Sequence, residues 1–311
     1  MTTFADGVFQ YGGLPVGGNA FGKLFSTPTK GRAWFVDTAV GTSGTGKSPK
    51  SAFSTMAQAF SNLQSGDIIY FVGKVTEQLV TPVQVFDVTI IGGGNRPRHA
   101  DVTPAGGNSA ASQWGPPASG AISGQATVRV LQQGWRFFNI LFTMESATAA
   151  GIELVRNAAS GNSERDASHA HIVGCKFAGA GIGIRSGVAG SFTELVNHAV
   201  IENNHFIDNT TAISDTIGTS RWYILNNMFN VNTNHITAKL GSSIVKGNVF
   251  SNHTTNSIVL TSGGGKNIIT GNYLSGTYTT GGGYVTSNAN DEWAGNTNTL
   301  TGGITVADPA A

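Results

Sequence analysis

The sequence is poor in charge. Of its 311 residues only 11% are Asp, Glu, Lys or Arg, and the formal net charge is +1; an average globular protein is about a quarter charged. So neutral a surface offers no electrostatic footprint for nucleic acid or an anionic membrane, and neither partner is expected. The one cysteine, Cys175, excludes an intrachain disulfide. No stretch reaches the ~20 apolar residues of a membrane span, and Met1–Gln10 lacks the basic start and apolar core of a signal peptide. The expectation is a product made soluble in its host's cytoplasm, with no membrane insertion.

What the chain has is glycine, 43 residues of it, with abundant Asn, Ser and Thr and 40% apolar content. The apolar residues come in short β-branched runs, the pattern of many short strands joined by polar turns. From residue 172 a unit recurs: an aliphatic residue, a spacer, Asn or Gly, then three residues on, Phe or Leu. It opens at Ile172, Ile201, Ile224, Val245 and Ile269 and closes at Phe177, Phe206, Phe229, Phe250 and Leu274, with closing positions 29, 23, 21 and 24 residues apart. A second apolar site follows at Ile184, Ile213, Ile236 and Ile258, and more loosely at Val285.

One coil of a β-helix holds two or three strands of about five residues plus turns, so a repeat in the low twenties fits. Side chains alternate in and out, and coils stack about 4.8 Å apart, which sets like residue over like. Asn204, Asn227, Asn248 and Asn272 then form a ladder at one corner, because Asn tolerates left-handed backbone and its amide bonds up and down a stack. Gly174, Gly247 and Gly271 serve the same turn. A β-sandwich predicts alternation but not this recurring order. The fold class read here is all-β: a right-handed parallel β-helix with a short capping helix and an extended N-terminal arm. Upstream strands are read at 67–72, 85–91, 126–131, 137–142 and 151–155.

Four segments follow. Residues 1–32 have no clean period and are read as an arm whose Phe4, Phe9, Tyr11, Leu14 and Phe21 dock onto a partner. Residues 33–66 carry a first strand, a Gly-rich loop and a helix; Phe53, Met56, Ala57, Phe60 and Leu63 form its apolar stripe, with Ser51 as cap and Gly66 beyond its end. Residues 67–303 are the β-helix, with a Gly/Pro/Ala/Ser-rich excursion at 96–124, and 304–311 are a tail. The loop Gly41–Ser48 matches the phosphate-binding pattern G-x-x-x-x-G-K-S. That reading is rejected, since Pro49 removes an amide donor where the helix should begin and no βα alternation follows.

Trp34–Asp37, the Gly/Ser/Thr loop, Ser48–Pro49, Phe53–Phe60 and Gly66–Tyr70 together resemble the opening of pectate-lyase-like β-helix proteins of tailed bacteriophages; Val88–Arg98 is similar to their second coil. The resemblance implies the fold, a phage origin and a homotrimer.

Glycan hydrolases need two carboxylates about 5–10 Å apart. There are 17 acids, most of them isolated. Glu202, Asp208 and Asp215 lie along one coil and are the fallback catalytic set, with solvated strand and turn positions as the plainer reading. No acidic cluster supplies a calcium site. Histidines 99, 169, 171, 198, 205, 235 and 253 suggest no third metal ligand by spacing. The expectation is therefore a chain with no catalytic site, cofactor or metal, and together with the phage resemblance this implies a non-enzymatic virion protein, placed as capsid decoration or cement. Its partners are capsid or tail proteins, reached through the arm, with host-surface glycan as a further one. The alternative is a tailspike-type receptor-binding protein or polysaccharide depolymerase.

Overall fold

The computed structural model describes residues 10–11, 14–15, 31–94, 111–144, 146–156, 166–187, 196–260, 265–275, 285–286, 290–298 and 304–305. Of the arm residues, Phe4, Phe9 and Phe21 lie outside this set, and Tyr11 pairs with Leu14 in a short antiparallel hairpin. Most of the 96–124 excursion and most of the 304–311 tail also fall outside it.

The chain winds as a parallel β-helix with three walls. The first wall runs from Ala33–Asp37 through Thr89–Gly92, Arg136–Phe138, His171–Val173, Val200–Glu202, Tyr223–Leu225, Ile244–Lys246 and Ile268–Thr270 to Glu292–Ala294. The second wall holds Ser112–Gly115, Leu141–Thr143, Lys176–Ala178, His205–Ile207, Met228–Asn230 and Val249–Ser251. Ile68–Thr76 bends from the first wall into the second. The third wall holds Val128–Val130, Ala150–Leu154, Ile182–Ser186, Thr211–Ser220, Asn234–Gly241 and Asn256–Leu260. Every pairing among these strands is parallel, so each strand's partner is the equivalent strand one coil away; the one antiparallel pair on the walls among the described residues is Thr297–Asn298 with Ile304–Thr305 at the C-terminal end.

The corners explain the strand breaks. Residues 137–142, read as one strand, form two, because Asn139 turns the corner between first and second walls at φ 55°. Asn203 and Asn226 make the same turn at φ 55° and 54°, and Gly174, Gly247 and Gly271 make it where no side chain is present. The next residue points inward. The Asn204 amide donates to Asn227 Oδ1 (3.0 Å) and to the Ile172 carbonyl (2.8 Å). Asn227, Asn248 and Asn272 repeat this, ending on Asn296. Cys175 occupies the first step, its N–H donating to Asn204 Oδ1. Each ladder oxygen also accepts the backbone N–H of the coil before it, so the buried polar groups are satisfied.

Beside the ladder, Phe142, Phe177, Phe206, Phe229 and Phe250 stack face to face at centroid distances of 5.2, 4.9, 4.9 and 4.7 Å. The Ile184, Ile213, Ile236 and Ile258 column lies in register on the third wall. One continuous core results, as expected when no single coil can bury its own apolar face.

The helix is shorter than its sequence pattern, spanning Met56–Phe60. Thr55 caps it rather than Ser51, in a capping box with Gln58. Ser51 ends a separate turn, Pro49–Ser51, and Phe53 bridges to Val36 as extended chain. Ala57 therefore faces solvent, and Ala59 takes its place inside. Phe60 packs on Trp114 and Trp135, closing the first coil's interior. In the Gly41–Ser48 loop the Gly44 and Gly46 amides are spent on the Ala52 and Ser51 carbonyls, which leaves them no phosphate to hold.

Candidate functional site

Glu202, Asp208 and Asp215 are not brought together. Glu202 is on the first wall, Asp208 turns the corner after the second at φ 56°, and Asp215 is on the third. Asp215 is buried and accepts from Ile217 N, Gly218 N and Thr219 Oγ1. It organises the irregularity where the register shifts between Asp215 and Thr219. Burial pushes its carboxyl up, and these hydrogen bonds oppose the rise. Cys175 is fully buried, with its thiol raised by that burial to about 12, so it has no nucleophilic character.

The third wall carries a different cluster. Val128, Ile152 and Ile184 point inward in register, so Arg129, Glu153 and Arg185, each one residue later, form the outward row. An outward glutamate should be solvated, yet Glu153 is 0% exposed. The guanidiniums one coil to either side cover it. Arg129 Nε donates to Glu153 Oε2 at 2.6 Å, and Arg185 Nη2 lies 3.0 Å from Oε1 in an ion pair outside hydrogen-bond geometry. Arg185 is anchored in turn by the Thr148 carbonyl (2.8 Å) and the Gly124 carbonyl (3.2 Å) of the loops entering the wall. Two cations against one anion leave the row a net positive charge. Arg129, with 26% of its side chain exposed and only Nε committed to Glu153, carries that charge toward solvent.

This arrangement suits an anion. A guanidinium offers two parallel N–H groups to a carboxylate, and one already oriented through Nε loses little freedom on binding. The signal for it was present in the sequence: Val128, Ile152 and Ile184 are each followed by a charged residue. Seeing it required the coil alignment upstream of residue 172, where repeat lengths differ.

A second titratable group sits on the second wall. Lys176 pairs in register with His205. Burial lowers the Lys176 ammonium, opposed by Asp208, and burial followed by the Lys176 charge lowers His205 to about 4. Among the described residues no three His, Cys, Asp or Glu side chains converge as a metal site.

No family model matches the chain, and no curated protein matches it. Solved structures do. That of Escherichia coli ybhc shares 14% identity over 94% of this chain and 89% of its own, with a TM-score of 0.50, a likeness of fold. Pectate lyase Pel9A shares 11% identity over 82% of this chain and 72% of its own (TM-score 0.42). The PL6 family alginate lyase AlyGC shares 18% over 78% of this chain, which spans 38% of that enzyme (TM-score 0.42). Two of these three are lyases, a finding that runs against the expectation of a non-enzymatic chain and removes its ground, while the likeness itself is one of fold. In fold, the protein is a parallel β-helix.

Proposed function

We propose that this chain cleaves an acidic polysaccharide at the outward row of the third wall, with Arg129 holding a sugar carboxylate and the Glu153–Arg185 pair positioning Arg129. The supporting observation is the glutamate fully buried on the solvent side of a strand between two arginines. Burying an ion triad costs several kcal/mol in desolvation, an expense without return to the core. Hydrolysis needs a second carboxylate about 5–10 Å away, but the next outward positions along the row are Ser214 and Thr237. Elimination needs a cation instead. A hydroxide from solvent takes the proton on the carbon bearing the carboxylate, the electron pair of that C–H bond becomes the C=C bond, and the glycosidic oxygen leaves, taking a proton from water. Neutralising the carboxylate makes that proton acidic.

The test is a panel of polyuronates and neutral glycans, read by ultraviolet absorbance of unsaturated uronate and by reducing ends. Cleavage with absorbance gain is expected, and Arg129→Ala, checked for folding by circular dichroism, should lower kcat/KM about 10²- to 10³-fold. Reducing ends without absorbance would replace elimination by hydrolysis. No cleavage of any polyuronate would end the reading.

For placement, we retain the tailed-phage particle, with a tailspike-type role in which residues 1–32 anchor the chain to capsid or tail proteins, as a homotrimer, and host-surface glycan is the substrate. The resemblance of residues 33–100 to phage β-helix proteins supports this placement.

A further inference from the structure

The corner between the third and first walls has the same backbone requirement as the Asn-lined corner but meets it differently. Gly134, His169, His198, Arg221, Ser242 and Lys266 occupy it at φ 73°, 61°, 59°, 58°, 49° and 59°. Each donates its N–H across to the next coil, to the carbonyls of Ser168, Asn197, Ser220, Gly241, Gly265 and Asn290. Left-handed backbone favours Gly and Asn, and a long side chain there costs on the order of 1 kcal/mol or more. The corner between first and second walls complies, with Asn139, Gly174, Asn203, Asn226, Gly247 and Gly271. Here the positions after Gly134 hold two imidazoles, a guanidinium, a hydroxyl and an ammonium.

These side chains form a file. The His169 and His198 rings stack at 4.8 Å with 4° between planes, one coil step. His169, Arg221, Ser242 and Lys266 are exposed, and His198 is half-buried. Asp166, near the file, is taken by Ser168, Gln133 and Arg156. Asp87, the acid in the same column, lies beyond Gly134 and pairs with Arg136. Among the described residues no ion pair engages Arg221 or Lys266.

We propose that this corner is a binding rail for a linear acidic polysaccharide lying along the helix axis, separate from the Arg129–Glu153–Arg185 row. Arg221 and Lys266 stand two coil steps apart with Ser242 between them, about 9.6 Å, which matches every second carboxylate of an extended chain with one carboxylate per sugar. Duplex DNA places a charge every ~1.7 Å, too densely for a single file.

The test measures retention of the full chain on immobilised polygalacturonate, on its neutral methyl ester and on duplex DNA, across a salt series. The variant is R221N/K266N. Asn suits left-handed backbone, so thermal stability should hold or rise, which removes misfolding as an explanation. Expected are salt-sensitive binding to polygalacturonate, none to the ester, and about a tenfold loss in the variant, the sum of two exposed charge contacts. The rail is read by the retention difference between R221N/K266N and the parent, and cleavage by release of unsaturated uronate, so failure of the cleavage reading and failure of the rail are distinguishable. Unchanged binding by R221N/K266N, equal binding of the ester, or tighter binding of DNA through the same two residues would each overturn the rail.

Discussion

Replacing Asn248 with alanine removes four hydrogen bonds from the middle of the inward ladder. Its Oδ1 accepts from Asn227 N (2.8 Å) and Asn227 Nδ2 (3.0 Å), and its Nδ2 donates to the Ile224 carbonyl (2.9 Å) and Asn272 Oδ1 (3.0 Å). Two partners keep alternatives: Asn227 Nδ2 still reaches the Ile201 carbonyl, and Asn272 Oδ1 still accepts the backbone N–H of residue 248. The Asn227 N–H keeps none, and no water enters because Asn248 is 0% exposed. An orphaned buried N–H costs about 1–3 kcal/mol and each lost bond to a satisfied partner about 1, so the total is about 4 kcal/mol. Urea unfolding followed by circular dichroism reads it directly. Asn203→Gly is the control: Asn203 is exposed and left-handed, Gly keeps that backbone, and a change within about 0.5 kcal/mol is expected. A loss below about 1 kcal/mol for Asn248→Ala would refute the claim that the amides hold the coils together.

Two other substitutions probe the same physics. His235 is fully buried among Phe229, Phe250 and His253, and its pKa is lowered by burial to about 3. A depressed imidazole stabilises fully above its unfolded value near 6.5 and loses that contribution as pH falls toward 3, so the drop from pH 6.5 to 5 should cost about 2 kcal/mol. His205, lowered to about 4, adds a second such slope; a pH series of urea midpoints in which His235→Gln is no flatter than the parent would contradict this. Val231 is exposed with φ 53°, a conformation β-branched residues resist. Val231→Asn should raise stability by about 1 kcal/mol, seen as a higher Tm, and a lower one would show that the strain is absent.

The second half of the fold was legible because three constraints coincide there. Between Ile172 and Leu274 the coils have similar length, the inward positions repeat residue type, and the corner demands Asn or Gly. Upstream, the corners at Asp87 and Gly134 are separated by a long excursion, so the same walls leave no fixed period. The helix was visible but misframed: the 3.6-residue stripe absorbed Phe53, which the first coil uses as extended chain. The outward arginine–glutamate row was missed for a physical reason. A charged residue between apolar ones reads as a solvated position, and only stacking reveals that its neighbours above and below carry opposite charge. Glu202, Asp208 and Asp215 show the converse, since proximity along one coil spreads residues over two walls and a corner.

The inward amide ladder also bears on how such a chain can change over evolutionary time. Because adjacent coils are keyed to one another from inside, by an asparagine after the corner between first and second walls from Asn204 onward, the length of chain between corners is not what sets their alignment. Ladder steps span 29, 23, 21 and 24 residues of sequence, from Cys175 to Asn272, at the same hydrogen-bond distances of 2.8–2.9 Å. Insertions and deletions between ladder asparagines are thereby uncoupled from the scaffold. The walls can be kept while the segments joining them are rewritten, and new surface chemistry can arise without renegotiating the core.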